Sequence, residues 1–209
     1  MIQETEYKKA FPDAEMRTFS MGDVEVRASE SGKKILRGYA MKFEQEYDLG
    51  PFTESIARGA LDGADISDVR ILKNHDMNVV LGRTKAGTAK VWVDDIGLGY
   101  EAELPDTQDA RDLAISVERR DIDQASWAFQ LAHTREKRAD DWEMRASGKE
   151  HRTIKKIRTV LDASIVTYPA NPDTTAAKRS RDEFMAEYNH HELLNQRRKE
   201  IASFLAQHK

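Results

Sequence analysis

The chain has 209 residues, enough for one domain with its own core plus an appended segment. Hydrophobic residues make up 39% and charged residues 33%, which suits a small core with generously charged flanks. The absence of cysteine excludes a disulfide framework, a thiolate zinc site and a cysteine nucleophile, and a net charge of −4 without a basic stripe argues against a dedicated nucleic-acid binder.

In chain order, residues 1–22 are polar and weakly patterned, and are expected to form an arm outside the core. The opening stretch MIQETEYKKAFPDAE is too polar for a signal peptide, and no apolar run approaches the ~20 residues of a membrane span, so a cytosolic protein is expected. From about Val24 the pattern is β-like: Lys34–Phe43 reads as a strand after a turn at Ser31-Gly32, and Phe52–Leu61 as a short helix. Val69–Leu72 is a short apolar strand that runs into Asn74-His75-Asp76.

Turn signals at Thr84–Thr88 and Asp94–Gly97 separate further strands. Leu98, Tyr100, Ala102 and Leu104 alternate with Gly99, Glu101 and Glu103, which predicts one buried and one solvated face. Pro105-Asp106-Thr107 opens a helix whose apolar stripe is Ala110, Leu113, Ala114 and Val117. A second β block follows, with Trp127, Phe129 and Leu131 on one face and Ser126, Ala128, Gln130 and Ala132 on the other. Ile154–Val160 and Leu161–Tyr168 read as strands ending at the rigid Pro169-Ala170-Asn171-Pro172. Beyond Lys178, Phe184, Tyr188, Leu194, Ile201 and Leu205 recur at roughly helical spacing in a charged background, giving an amphipathic tail helix that packs on a partner or on the domain.

Strands in short succession with few helices predict an α+β fold: a mainly antiparallel sheet curled into a β-barrel, helices outside, and a C-terminal amphipathic helix. The expected division is an arm (1–22), a β-barrel domain (23–175) and a helical tail (176–209).

Three residues stand where chemistry could be done. His75 follows an apolar strand, and an imidazole titrates near neutrality, so it suits a general base; a strand-end surface histidine is the alternative. Its neighbour Asp76 is not automatically the orienting carboxylate, because a continuing strand would point it the other way. Ser126 lies on an alanine-flanked strand face with room for a substrate, but a serine needs an adjacent base to become a nucleophile, and by itself it reads first as an ordinary small strand residue. No GxSxG elbow is present. Asp162 sits within the apolar strand VLDASIVTYP, where a carboxylate needs a partner; a histidine N–H would serve, as would solvent or Arg158.

The remaining histidines carry less information. His133 and His151 lie in polar stretches, and His190 and His191 on the tail helix. The basic run His151–Arg158 reads as a solvated strand face, although it could touch phosphate or an acidic peptide. Neither HExxH nor an HxH cluster is present, and pairing His75-Asp76 with Asp94-Asp95 as metal ligands has no specific spacing behind it. No glycine-rich phosphate loop occurs, so no metal and no cofactor is expected.

Six motifs in order narrow the reading: LRGYAMKF, LGPFTESIARGAL, DVRILKNHDMNVVLGRTKAGT, DDIGLGYEAELPDT, DIDQASWAF and LDASIVTYPANPDT. Together, from about Leu36 to Thr175, they resemble the tailed-bacteriophage prohead protease family, itself similar to herpesvirus assemblin, a serine protease built on a closed β-barrel surrounded by helices. The resemblance carries the NHD histidine onto His75 and the strand serine onto Ser126, here followed by Trp127 where phenylalanine is commoner. It carries a carboxylate onto Asp162, where many relatives have glutamate at the head of an E-V-S-x-V-T strand. The assemblin-like enzymes use a second histidine in the third role, which leaves His151 as the rival of Asp162.

The family implies maturation proteolysis in the host cytoplasm, inside the phage procapsid. The substrates would be scaffolding protein or the scaffold-like region of the major capsid protein, and the enzyme itself, with self-association left open and no membrane or specific nucleic-acid partner. The implied reaction is acyl transfer, with Ser126 as nucleophile, His75 as base and Asp162 holding the imidazole tautomer. Arg83 and the Arg119-Arg120 pair invite inspection as oxyanion donors, without a motif that assigns them. Two rivals stand beside this reading: an assemblin-like capsid assembly factor without activity, and a metal-dependent hydrolase using His75 and nearby aspartates.

Overall fold

The computed structural model describes residues 2–20, 24–30, 32–134, 137–168 and 175–207. In chain order the elements are α1 (Ile2–Ala10), β1 (Ala14–Ser20), β2 (Glu25–Ala28), β3 (Lys34–Lys42), β4 (Tyr47–Asp48), β5 (Phe52–Ile56), β6 (Arg70–Lys73), β7 (Val80–Arg83), β8 (Ala89–Val93), β9 (Gly97–Glu103), α2 (Gln108–Glu118), β10 (Gln124–Leu131), β11 (Asp140–Met144), β12 (Glu150–Ile154), β13 (Ile157–Val166) and α3 (Thr175–Gln207). Two compact units result, Met1–Pro172 and Asp173–Lys209.

The expected α+β class and C-terminal helix are present, but the closed barrel is not. The described strands form three sheets, ordered β1-β10-β13-β6-β7, β11-β12-β5-β4 and β2-β3-β9-β8, each with two edge strands. Closure would require every strand to be paired on both sides. Instead the chain changes sheet between β5 and β6 and again between β12 and β13, and the ladders β12–β5 and β13–β6 are parallel while the others are antiparallel. Alternation along a strand specifies its faces and leaves its neighbours open, which is why a barrel was the expected closure.

Local readings fare better where one period fits. Thr107 caps α2 by accepting a hydrogen bond from the Ala110 N–H, and Ala110, Leu113, Ala114 and Val117 are buried as the stripe requires. Phe52–Leu61 is no helix: Phe52–Ile56 forms β5, in register with Glu150–Ile154 of β12. Its apolar positions Phe52, Ile56 and Ala60 are four apart, a spacing that suits a helix face and a strand face alike. Gly99 is not on a solvated face either, since it lies under the Trp92 indole, where a Cβ would come within 2.2 Å of Cε2. The proline-rich stop at 169–172 lies outside the described residues.

Residues 14–20, expected in a polar arm, form the outer strand β1, paired with β10 from Ala14 opposite Gln130 to Ser20 opposite Gln124. Glu15 and Arg17 are buried despite their charge because each finds a partner on another strand, Arg152 on β12 and Glu54 on β5. The five-stranded sheet is therefore covered on both sides. Trp127, Phe129, Ile71, Ala163 and Ile165 enter the main core, while Ala128 and Leu72 join a smaller cluster with Tyr7, Phe11, Ala14 and Met16.

The first unit holds this core by itself, and on α3 the large apolar residues Leu193, Leu194 and Ile201 are exposed. A chain ending at Thr175 should therefore remain soluble and cooperative, with a melting temperature within about 4 °C of the full chain. Recovery only as aggregate would mean that α3 completes the core.

Candidate active site

Three neighbouring strands of the five-stranded sheet bring together the residues singled out from the sequence. Ser126 on β10 stands opposite Ser164 on β13, and Ala128 opposite Asp162, so Ser126 and Asp162 occupy one face at adjacent positions. On the other side of β13, β6 runs parallel to it, with Leu72 beside Ser164 and Lys73 beside Ile165. The turn after Lys73 brings His75 back over that face.

That turn is unusual backbone. Asn74 and His75 both take left-handed φ angles of 55°, a conformation disfavoured for residues with a Cβ and held here by several bonds. The Asn74 N–H donates to the Ile165 carbonyl (2.9 Å), and the Thr167 N–H donates to Asn74 Oδ1 (2.9 Å). The His75 N–H donates to Ser164 Oγ (3.2 Å), while Asp76 accepts from the Asn78 N–H (2.9 Å) and so closes the loop rather than orienting the imidazole. The NHD motif thus supplies an asparagine that tolerates the left-handed region, the imidazole, and a turn-closing carboxylate.

The imidazole bridges its two partners. His75 Nδ1 lies 2.8 Å from Asp162 Oδ1, and Nε2 lies 2.7 Å from Ser126 Oγ. An ionised carboxylate can only accept, so the Nδ1 proton faces Asp162 and leaves Nε2 to accept from the serine. Asp162 is buried and receives two further donors, the hydroxyls of Ser164 (2.8 Å) and Tyr7. Burial, then the charge of Asp162 and this hydrogen bond, push the Tyr7 phenol far above its ordinary range, so it acts only as a donor. Neither Ser164 nor Tyr7 was identified from sequence. Ser164 could have been, since it shares strand parity with Asp162; Tyr7 had no local signal.

The rival candidates lie elsewhere. His151 on β12 is buried with Nδ1 2.7 Å from Thr53 Oγ1 and Nε2 3.0 Å from Ser55 Oγ, both on β5. Burial and the nearby Arg145 hold its pKa below the usual value. Arg83 is paired with Asp68 (2.6 Å) and Arg119 with Asp121 (2.7 Å). Asp94 accepts from the Tyr39 hydroxyl, the Trp92 indole and the hairpin N–H groups, while His190 and His191 are exposed on α3. Among the described residues no group of three or more His, Asp or Glu is placed to hold a metal ion.

On the other face of β1 and β10 from Ser126 lies a buried ion cluster. Arg17 pairs with Glu54 and Glu15 (2.6 Å each), and Arg152 with Glu15 (2.6 Å), Asp140 (2.8 Å) and Glu54 (3.0 Å). Arg152 was expected on a solvated face, yet it is fully buried; its strand parity with Ile154 was the available signal. Burial pushes the Glu15 carboxyl up, but the charges of Arg152 and Arg17 and the hydrogen bonds they donate bring it down to about 2. A carboxyl depressed on folding adds stability above its unfolded value, and that stability is lost as pH falls through the folded one. Urea unfolding should therefore show stability dropping by on the order of 1–3 kcal/mol between about pH 5 and pH 2 from this group. Glu15→Gln should be less stable at neutral pH and flatten that slope; an unchanged slope would mean Glu15 is not the group responsible.

A hydroxyl, an imidazole and a carboxylate joined in this order form the arrangement used for nucleophilic acyl transfer by serine hydrolases. The sequence model of the caudovirus prohead serine proteases matches residues 22–189, and the chain belongs to that family. Among solved structures, the bacteriophage T4 capsid assembly protease, gp21, is similar with a TM-score of 0.34 at 11% identity, covering 73% of this chain and 98% of that one. No curated protein sequence matches the chain.

Proposed function

We propose that the chain is the maturation endopeptidase of a tailed-phage procapsid. It acts inside that shell, in the host cytoplasm, on scaffolding protein or the scaffold-like region of the major capsid protein, and on itself. The observation that carries this reading is the continuous hydrogen-bonded path from Ser126 through His75 to Asp162 in a member of the prohead serine protease family.

Ser126 Oγ attacks the scissile carbonyl as its proton passes to His75 Nε2. The imidazolium is stabilised by Asp162, and the same proton then goes to the leaving amine, so that an acyl-enzyme forms and water later releases it. Ser164 donates to the Asp162 carboxylate and holds its orientation, whereas His151 takes no part. An assembly factor without activity is less well supported, because three groups of matched chemistry within hydrogen-bond reach have no structural need to be there.

Mass spectrometry after co-expression with the phage's own capsid proteins tests the reading. Wild type should yield new internal termini on a capsid or scaffold chain and on the protease, and Ser126→Ala should yield none. The same termini from both proteins would sink the assignment.

A further inference from the structure

Ser126 is fully buried and His75 only 7% exposed, although a peptide must reach both. What covers them is the chain's own N-terminal segment. β1 lies along β10 with Thr18 opposite Ser126, and without it β10 would be the sheet's edge. The carbonyl of Arg17 accepts a hydrogen bond from Ser126 Oγ at 3.0 Å, with His75 Nε2 at 2.7 Å from the same oxygen. A hydroxyl has one proton, so each moment it is given to Arg17 it is withheld from the base.

The rest of the segment closes the face. Tyr7 meets the His75 ring edge-on, with centroids 5.9 Å apart, and packs with Phe11, Ala14 and Met16 over Ala128 and Leu72. The alanine-lined space beside Ser126 is thereby filled. Glu15 and Arg17 anchor the strand in the ion cluster, yet Arg152 keeps Asp140 and Glu54 as partners without them. Part of the ion cluster thus stays paired without β1, and the family match begins at residue 22, past the whole segment.

We propose that residues 2–20 are an inhibitory segment: β1 occupies the strand position that a peptide substrate takes beside Ser126, and the site becomes reactive when the segment leaves. The replacing peptide is extended, pairs with β10, and carries an acidic residue two positions before a basic one, as Glu15 and Arg17 do. This rests on Ser126 as the nucleophile.

The test is the rate at which a serine-directed fluorophosphonate modifies Ser126 in the full chain, read by peptide mass spectrometry. Wild type should label slowly. Glu15→Ala combined with Arg17→Ala removes both anchors and should label about tenfold faster or more, given what loss of buried ion pairs costs. A synthetic peptide of residues 2–20 should restore slow labelling, and the same peptide with both alanines should not. Phe11→Asp loosens the segment without touching the ion cluster, should also accelerate labelling, and carries the test alone if the double variant fails to fold. Equal labelling of Ser126 in all folded forms, or protection by both peptides alike, would overturn the proposal while leaving the nucleophile in place. Absence of any adduct at Ser126 in every form would count against the nucleophile itself, and the inhibitory role would fall with it.

Discussion

Ser126→Ala is expected to abolish cleavage, lowering the single-turnover rate on a capsid-protein peptide by about 10⁵–10⁶-fold, as removal of a triad nucleophile does elsewhere. The fold should survive. Ser126 sits among Ala125, Trp127 and Ala128 on a buried strand, and losing its hydroxyl removes one proton shared between two acceptors without opening a large void. The stability change should be on the order of 1–2 kcal/mol, visible in thermal unfolding. More than about a tenth of wild-type activity in a correctly folded variant would exclude the serine as nucleophile. A fluorophosphonate adduct on Ser164 would move the role to β13, but that hydroxyl donates to Asp162 and has no bond to a base, so no adduct is expected there.

The second large effect concerns the orienting group. Asp162→Asn should slow the chemical step by about 10⁴-fold, because the amide favours the imidazole tautomer that cannot take the serine proton. The loss should be compounded here: the Ser164 hydroxyl also donates to the carboxylate oxygen that faces His75, and an amide nitrogen placed there would accept from neither. His151→Ala should leave the rate within about twofold. It removes bonds to Thr53 and Ser55 on β5, the strand paired with β12, so its cost should appear as stability, on the order of 1–3 kcal/mol. The measurement is single-turnover cleavage with unfolding curves for both variants. A rate collapse in His151→Ala with an unaffected Asp162→Asn would hand the third role to His151.

Much of the site was legible in the sequence because its chemistry is written in short motifs. NHD combines an asparagine suited to the left-handed turn with the imidazole and the turn-closing aspartate. In QASWAFQL, alternation alone separates Ser126 and Ala128 from the core-facing Trp127 and Phe129. The capped helix α2 and the buried face of β9 are local in the same sense, since each depends on a period and a few neighbours. Asp162 stood out because a carboxylate in an apolar strand demands a partner.

What escaped the sequence depends on pairing between distant residues. Helix and strand fit Phe52–Ile56 equally until β12 lies beside it, and nothing in the strands' alternation says that three open sheets form in place of a barrel. The buried charges are the clearest case: Arg17 meets Glu54, 37 positions away, and Glu15 meets Arg152, 137 positions away. Read locally, those residues belong in water. The residue types and periods of this chain determine which side chains can do chemistry and which strand face holds them, because those depend on backbone geometry over a few residues. Only the tertiary structure decides that a polar N-terminal stretch becomes the strand lying on Ser126, because burying charge is favourable only when its partners are already in place.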